Sequence, residues 1–140
     1  MAELSYRQDA DVPVGQLRAL YDDLGWTTVT ARSDAVLAAS VRGAQVVRTC
    51  WDGERLVGIF RAITDGARCG HVLDLAVRRD HQGRGIGAEL FRRGMAALAG
   101  CDYVSLMAEP DVLGFYEKFG FFHHSHAMLL RREVDDAPDP

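Results

Sequence analysis

Two spacings of hydrophobic residues alternate along this chain of 140 residues. Apolar positions three and four apart, which form one face of a helix, alternate with short runs rich in β-branched and aromatic residues, which are typical of strands. We therefore predict helices at residues 11–26, 32–44, 88–100 and 111–120. We predict strands at residues 3–7, 44–51, 55–64, 68–77 and 102–109, and one or two further strands within 121–133.

Two Asp-Gly pairs, Asp52-Gly53 and Asp65-Gly66, separate three consecutive strand runs, and an Asp-Gly turn between such runs indicates a β-hairpin. The predicted order is β-α-α-β-β-β-α-β-α-β-β. This order defines an α/β fold with one mixed sheet, antiparallel in its N-terminal half, with one parallel βαβ crossover. The run at 102–109 is apolar, so we predict a central strand that is covered on both faces.

Composition narrows the class of protein. A hydrophobic content of 48% over this length suits one domain, which we assign to residues 1–132. Residues 133–140 are predicted to form an acidic, flexible tail. The tail holds four of the 20 acidic residues, which leaves 16 acidic against 16 basic residues elsewhere. The body is therefore near neutral, and we predict no nucleic-acid partner.

Targeting and redox signals are weak. The N-terminal stretch lacks the basic and apolar regions of a signal peptide, and no apolar run approaches membrane-spanning length. The three cysteines, Cys50, Cys69 and Cys101, are far apart and have no CxxC spacing, so we interpret them as reduced thiols. We predict a cytoplasmic protein with no membrane partner.

The glycine-rich stretch at residues 80–90, DHQGRGIGAEL, satisfies two phosphate-binding fingerprints. Gly83, Gly85 and Ala88 fit G-x-G-x-x-A, the dinucleotide pattern, whereas Gln82, Gly85 and Gly87 fit Q-x-x-G-x-G. Both patterns place a phosphate at the N-terminus of the next helix. There, glycines let the backbone approach closely and the first N–H groups of the helix have no partner.

The surroundings of this stretch distinguish the two fingerprints. A dinucleotide fingerprint opens the first βαβ unit of a repeated parallel sheet, but here the stretch follows two hairpins and precedes a single crossover. Glu109, at the end of the next strand, supplies the acidic residue that a dinucleotide site requires. A nucleotide-dependent oxidoreductase fragment therefore stays an alternative. The chain has no G-x-x-x-x-G-K-[ST], which excludes a P-loop.

The stretch VLDLAVRRDHQGRGIGAEL, followed by VLGFYEKFGFF, resembles the GNAT (GCN5-related N-acetyltransferase) superfamily over about residues 54–132. The helix LRALYDDLGW also resembles that of small bacterial members. The resemblance implies a splayed central strand pair, acetyl-CoA as co-substrate, direct acetyl transfer to a primary amine of a small molecule or peptide, and a possible homodimer. It assigns acetyl-CoA binding to a run of residues on the strand and loop: Leu75, Ala76, Val77, Gln82, Gly83, Arg84, Gly85, Ile86, Gly87 and Ala88.

Two residues are candidates for the acid and the base of acetyl transfer. Tyr116 matches the tyrosine that the family uses as an acid, and a phenol with a pKa of about 10 is protonated at neutral pH. Asp74 lies in an apolar strand, on the face that we assign to Val72 and Ala76, where a carboxylate must be paired or used. It is the base that accepts the amine's proton, directly or through water, or a charge that attracts a cationic acceptor, or the buried partner of an arginine. A non-catalytic acyl-CoA sensor would keep the loop and not need Tyr116.

Two further features are less specific. Glu109 stands where family members often carry an asparagine, which leaves its contact with the cofactor undefined. The histidines His123, His124 and His126 have no second cluster of ligands, so we predict no metal site.

Overall fold

The computed structural model describes residues 3–8 and 11–132 and contains, over those residues, five strands, five α-helices and two short 3-10 helices. The strands are β1 (Leu4–Arg7), β2 (Val46–Asp52), β3 (Arg55–Thr64), β4 (Cys69–Val77) and β5 (Tyr103–Leu106). The helices are α1 (Val14–Asp23), α2 (Thr27–Thr30), α3 (Asp34–Arg42), α4 (Ile86–Ala97) and α5 (Leu113–Glu117). Helix α2 was not predicted, and the predicted tail at 133–140 lies outside the described residues.

One mixed sheet has the strand order β1-β2-β3-β4-β5. Neighbouring strands are antiparallel except β4 and β5, which are parallel and joined through α4. The predicted α/β class, with one crossover, is confirmed. Both hairpins turn at the predicted Asp-Gly pairs, where Gly53 and Gly66 adopt φ values of +62° and +74°. Among residues 3–8 and 11–132, no helix has the length and apolar character needed to cross a membrane.

Hydrophobic cores lie on both faces of the sheet. Helices α1 and α3 cover one face with Leu17, Leu20 and Leu37, and α4 covers the other with Leu90 and Phe91. Helix α4 approaches β3 closely at Gly94, where an added Cβ would lie 2.2 Å from the Phe60 ring. A glycine is required there because the space for a side chain is already filled by the ring.

A β-bulge at Leu73 separates the two halves of β4. Arg61 pairs with Asp74 and Ala62 with Val72, so Leu73 is the extra residue on β4. Val72 therefore faces α4, whereas Asp74 and Ala76 face α1. The predicted common face for Asp74 and Ala76 is confirmed, but the inclusion of Val72 is wrong because the bulge reverses the alternation of side chains.

Beyond the bulge the two parallel strands separate. Pairing between β4 and β5 covers only Cys69–Val72 against Tyr103–Leu106, and β4 then continues to Val77 beside β3 alone. The edge of β4 from Leu73 to Val77 thus carries no strand partner on its β5 side in the described chain. This separation is the splayed pair that the resemblance implies.

The C-terminal part departs from two predictions. Residues 121–132 form no strand, although one or two were predicted there. Strand β5 is an edge of the described sheet, and Tyr103 on it is 59% exposed, so the prediction of a strand covered on both faces is wrong. An apolar run does not reveal whether a strand lies inside the sheet or at its edge, because that depends on the other segments of the chain.

Candidate cofactor-binding site

A shallow cavity of about 260 Å³ lies at the N-terminus of α4. Seven of the ten residues predicted to bind acetyl-CoA line it, namely Val77, Gln82, Gly83, Gly85, Ile86, Gly87 and Ala88. The sequence did not reveal two further lining residues, His81 and Phe115. Asp74 and Tyr116 are outside this lining as the described residues define it.

The loop before α4 presents backbone donors to the cavity. Gly83 and Gly85 adopt φ values of +79° and +83°, which only glycine adopts readily. Helix α4 begins at Ile86, no side chain within the described residues caps it, and its first regular hydrogen bond runs from Glu89 N to Gly85 O. The preceding N–H groups and the positive end of the helix therefore favour an anion in front of the loop.

Gly87 has a different reason to be glycine. Its φ is not positive, and an added Cβ would make only an ordinary contact, 3.7 Å from Val77 Cγ2. The protein itself would therefore accept an alanine at this position. Glycine keeps the space in front of the helix free, which fits a ligand phosphate that must approach the backbone closely.

Gln82 connects the loop to the end of β4. Its side-chain Nε2 donates to Val77 O at 2.9 Å, so the loop is closed over the last residue of the strand. Arg84 is exposed at the tip of the loop. The family resemblance assigned Gln82 to the loop. Its hydrogen bond to Val77 O shows how the side chain holds the loop against the end of β4.

His81 is buried beneath the loop between two carboxylates. Its Nδ1 lies 2.7 Å from Asp80 Oδ1, and its Nε2 lies 2.9 Å from Asp52 Oδ2 in the β2–β3 hairpin. Hydrogen bonding from His81, together with Arg55, lowers the pKa of Asp80 to about 2. His81 thus ties the loop to the hairpin.

The last residues of β4 lead toward the loop. Leu75 and Val77 are half-buried and face α4, whereas Ala76 is buried against α1 and α3. Only Val77 of the three lines the cavity. The backbone of all three belongs to the stretch of β4 beyond the bulge, whose free edge is long enough to accept an extended ligand arm.

Asp74 is engaged by two other side chains. Its Oδ2 accepts from Arg61 Nε and from Tyr21 OH, each at 2.7 Å, and Arg61 also donates to Ser40 O at 3.1 Å. The side chains of Asp74 and Arg61 are only 13% and 17% exposed. Burial, followed by the Asp74 carboxylate, raises the pKa of Tyr21 far above its usual value. This is the arrangement expected of the buried partner of an arginine.

Tyr116 lies in an aromatic cluster beside the cavity. Its ring centroid is 5.4 Å from that of Phe91 and 5.1 Å from that of Phe115, which itself lines the cavity. Burial raises the pKa of Tyr116, so the phenol stays protonated at neutral pH. The geometry therefore keeps Tyr116 in the state that a proton donor requires.

The remaining candidates lie on the surface. Glu109 is exposed just beyond β5, and His123, His124 and His126 are exposed after α5. In the part of the chain that the structure describes, no three His, Cys, Asp or Glu side chains are grouped as a metal site would require. Cys50 is buried, and burial raises the pKa of its thiol.

A parallel strand pair that separates and leads into a glycine loop at a helix N-terminus is the arrangement that the family resemblance implies for an acetyltransferase. Residues 9–121 match the profile described as the Acetyltransferase (GNAT) family. The chain belongs to this family. The match covers α1 through α5, with strands β2 to β5 and the glycine loop, and it ends before the exposed segment that follows.

Individual relatives agree with this assignment. The chain is 28% identical to histone acetyltransferase TAP1 of Glycine max over 85% of its own length and 56% of that protein. The chain thus spans little more than half the length of this relative and of another curated relative, GCN5-related N-acetyltransferase 2 of Arabidopsis thaliana. A candidate acetyltransferase from Deinococcus radiodurans R1 shares 25% identity and a TM-score of 0.81, with coverage of 100% and 99%. Aminoglycoside N-acetyltransferase AAC(6')-Iy in complex with CoA shares the fold at 14% identity, a TM-score of 0.70 and coverage of 96% and 97%.

Proposed function

We propose that the protein is an N-acetyltransferase that moves an acetyl group from acetyl-CoA directly to a primary amine of a small molecule or peptide. The observation that carries this proposal is the position of the glycine loop. It lies at the N-terminus of α4, directly after the edge of β4 that has lost its β5 partner. One continuous surface can therefore hold a phosphate and an extended thioester arm.

The loop and strand would hold the donor. Backbone N–H groups from Gly83 to Ala88 would bind the pyrophosphate, because an anion at a helix N-terminus is stabilised without a lysine. The backbone of Leu75 and Val77 would bind the pantetheine arm. Arg84 is free to add a positive charge near a phosphate, and Gln82 holds the loop in place. Acetyl-CoA, when bound, supplies the activated acetyl thioester.

Tyr116 would act as the acid. The thiolate that leaves must gain a proton, and the half-buried Tyr116 phenol, whose pKa is raised by burial, carries a proton at neutral pH. Direct transfer needs no cysteine nucleophile, and Cys50 is buried with a raised thiol pKa. We expect Tyr116→Phe to lower kcat about 100- to 10,000-fold at saturating donor. Tyr103→Phe, which alters an exposed tyrosine on β5, is the matched control and should retain full activity.

Asp74 would act as a positioning residue. Its carboxylate already accepts two hydrogen bonds, which tie α1 and, through Arg61, α3 to the sheet. Breaking such a partly buried pair costs about 2–4 kcal/mol of stability. Asp74→Asn and Arg61→Gln should therefore both lower the free energy of unfolding, while kcat of the folded fraction stays near that of the parent. If Asp74→Asn lowered kcat and Arg61→Gln did not, while the free energy of unfolding of Asp74→Asn stayed unchanged, Asp74 would instead be the base.

The donor is tested first by calorimetric titration with acetyl-CoA and with NAD(P)H. Binding of acetyl-CoA alone is expected, and binding of NAD(P)H alone would refute the proposal in favour of an oxidoreductase fragment. Thiol release is then followed with a panel of amines: a polyamine, an arylalkylamine, an aminoglycoside and a peptide N-terminus. Acetyl-CoA binding without turnover of any amine would identify a sensor module.

The acceptor class and the location go beyond the family assignment. We propose a small cationic amine, because the exposed loop after β5 carries Glu109 and Asp111 and the body is near neutral. Curated relatives in the family are named for several acceptors, including histone and glucosamine 6-phosphate. Action in the cytoplasm stays a prediction from the sequence.

A further inference from the structure

The proposed reaction requires a base. An alkylamine carries a proton at neutral pH and must lose it before its nitrogen can attack a thioester. Asp74 is already engaged, because its carboxylate accepts hydrogen bonds from Arg61 and Tyr21. The group that takes the proton must lie near the place where β4 and β5 separate, beside the proposed path of the thioester arm.

His71 and Ser105 form a hydrogen-bonded pair at that place. His71 Nδ1 lies 2.8 Å from Ser105 Oγ, and the two residues are directly opposite each other on the parallel strands β4 and β5. The next pair, Val72 with Leu106, is the last before the strands separate. His71 thus lies two residues before the free edge of β4.

The pair lies on the face of the sheet opposite to α4. Val104 and Leu106 pack toward α4. Ser105 lies between them on β5 and so points to the other face, as does its partner His71. Helices α1 and α3 leave that face open here, since Ser105 is exposed and Ile63, which pairs with His71 on β3, is 42% exposed. An amine can therefore approach the imidazole from solvent.

One nitrogen of the His71 ring is free to take a proton. The side chain is half-buried, and Nε2 has no hydrogen-bond partner within residues 3–8 and 11–132. In the tautomer in which Nδ1 donates to Ser105 Oγ, Nε2 carries the lone pair that accepts a proton. Imidazole is the side chain that most often serves as a general base, and a base works best when a neighbouring group orients it.

We propose that His71 is the base that accepts the proton of the acceptor amine, and that Ser105 positions its ring. The inference deepens the proposed function and rests on it. Tyr116, the proposed acid, packs against Phe91 of α4, so the acid and the base lie on opposite sides of the sheet. The amine thus approaches the thioester from one side, and the departing thiolate is protonated from the other.

Protons and electrons balance across this pair. An alkylammonium acceptor gives one proton to His71 Nε2 and becomes a neutral amine. Its nitrogen lone pair forms the C–N bond, the C–S bond breaks with its electron pair on sulfur, and Tyr116 gives the thiolate a proton. A second proton from the nitrogen restores the Tyr116 phenol through water, and His71 passes its proton to solvent.

The other titratable groups on this face differ in kind from His71. Strands β3, β4 and β5, together with α1, contribute them in the described chain, and they are Arg61, Cys69, Asp74, Tyr103 and Tyr21. Arg61 and Asp74 form an ion pair in which their charges offset each other. Histidine is the side-chain type in this group that ordinarily changes charge near neutral pH.

His71→Gln tests the base, because glutamine keeps a hydrogen-bonding side chain but does not take up the proton. In the thiol-release assay, kcat/KM at neutral pH should fall about 100- to 10,000-fold. The Kd for acetyl-CoA, measured by calorimetry, should stay unchanged. His123→Gln makes the same replacement at an exposed histidine after α5, and this matched control should keep full activity.

The pH profile distinguishes a base from a structural role. Below the pKa of the amine itself, the unprotonated fraction rises about tenfold per pH unit, so the loss in His71→Gln should shrink as the pH rises toward that pKa. A loss by the same factor at every pH would overturn the inference, as would full kcat/KM of the variant at neutral pH. A parent chain that acetylates no amine would refute the proposed function itself, and this inference with it, before any variant is made.

Ser105 supplies a second test in which the imidazole is retained. Ser105→Ala should lower kcat/KM about 2- to 10-fold, the effect of one lost hydrogen bond, and Ser105→Thr, which keeps the hydroxyl, should restore it. Ser105 is exposed, so thermal unfolding of both variants should match the parent. Full activity in Ser105→Ala, or an equal loss in Ser105→Thr, would overturn the positioning role.

Discussion

Replacing Gly87 by alanine tests whether the loop before α4 binds an anionic ligand or only begins a helix. Gly87 is the second residue of α4, and an alanine Cβ there would contact Val77 Cγ2 at an ordinary 3.7 Å. Alanine in a helix is more stable than glycine by about 0.5–1 kcal/mol. If folding were the only requirement, the substitution would raise Tm by a few degrees, roughly 2–5 °C.

Ligand binding should respond in the opposite direction. The methyl group would stand where a phosphate must approach the backbone, at the cost of one of its charge-assisted hydrogen bonds. Each is worth about 1.5–3 kcal/mol. We therefore expect the Kd for acetyl-CoA to rise about 10- to 150-fold, at unchanged or raised Tm. Calorimetric titration and thermal unfolding measure both quantities on one preparation.

Gly15→Ala is the matched control. Gly15 is also the second residue of its helix, α1, and an added Cβ there has no atom within 4 Å in the described structure. It should raise Tm by a similar amount and leave acetyl-CoA binding unchanged. If Gly87→Ala binds acetyl-CoA as tightly as Gly15→Ala does, the loop is a helix start without a phosphate role, and the assignment of the site fails.

Three further predictions concern packing, loop position and pH. Gly94→Ala should lower the free energy of unfolding in urea by about 1–3 kcal/mol, because the added Cβ would overlap the Phe60 ring. An unchanged midpoint of the urea transition would contradict the close packing of α4 on β3. His81→Leu should raise the KM for acetyl-CoA about tenfold with little change in kcat, because Asp80 and Asp52 lose the side chain that ties the loop to the hairpin. Equal losses in kcat and kcat/KM would instead indicate a role in the chemical step. Asp65 accepts three backbone N–H groups, which lower its pKa to about 2 from 3.8, so its contribution to stability is present above pH 3.8 and lost as the pH falls toward 2. Asp65→Ala should thus lower Tm at pH 6 and converge with the parent near pH 2, and a constant difference across that range would exclude the charge as its cause.

The parts of the fold that were predicted correctly depend on neighbours in sequence. An Asp-Gly pair turns the chain because Gly53 and Gly66 adopt a positive φ, a property of those residues alone. The geometry of the glycine loop is likewise local, since residues 82–88 contain both the positive-φ glycines and the first turn of α4. Seven of the ten predicted cofactor residues therefore meet in one cavity.

The parts that the sequence did not reveal depend on distant partners. Asp74 accepts its hydrogen bonds from residues 53 and 13 positions away, so an apolar strand with one carboxylate could not distinguish a base from an ion-pair partner. His81 carried no signal of its own, because Asp52 is 29 positions away. The bulge at Leu73 is a property of the register between β3 and β4, and no spacing within β4 indicates it.

By itself, the sequence determined the succession of elements, the two hairpins and the loop that ends at α4, because backbone propensity and glycine geometry act within a few residues. Tertiary structure decided which carboxylates are paired, where β4 leaves β5, and that residues 121–132 remain without a partner strand. A strand is stable only beside another strand, and its hydrogen bonds go to a different part of a chain or to a different chain. The apolar residues at 127–130 predicted a strand, but no strand forms there because the described chain pairs no other strand with this segment.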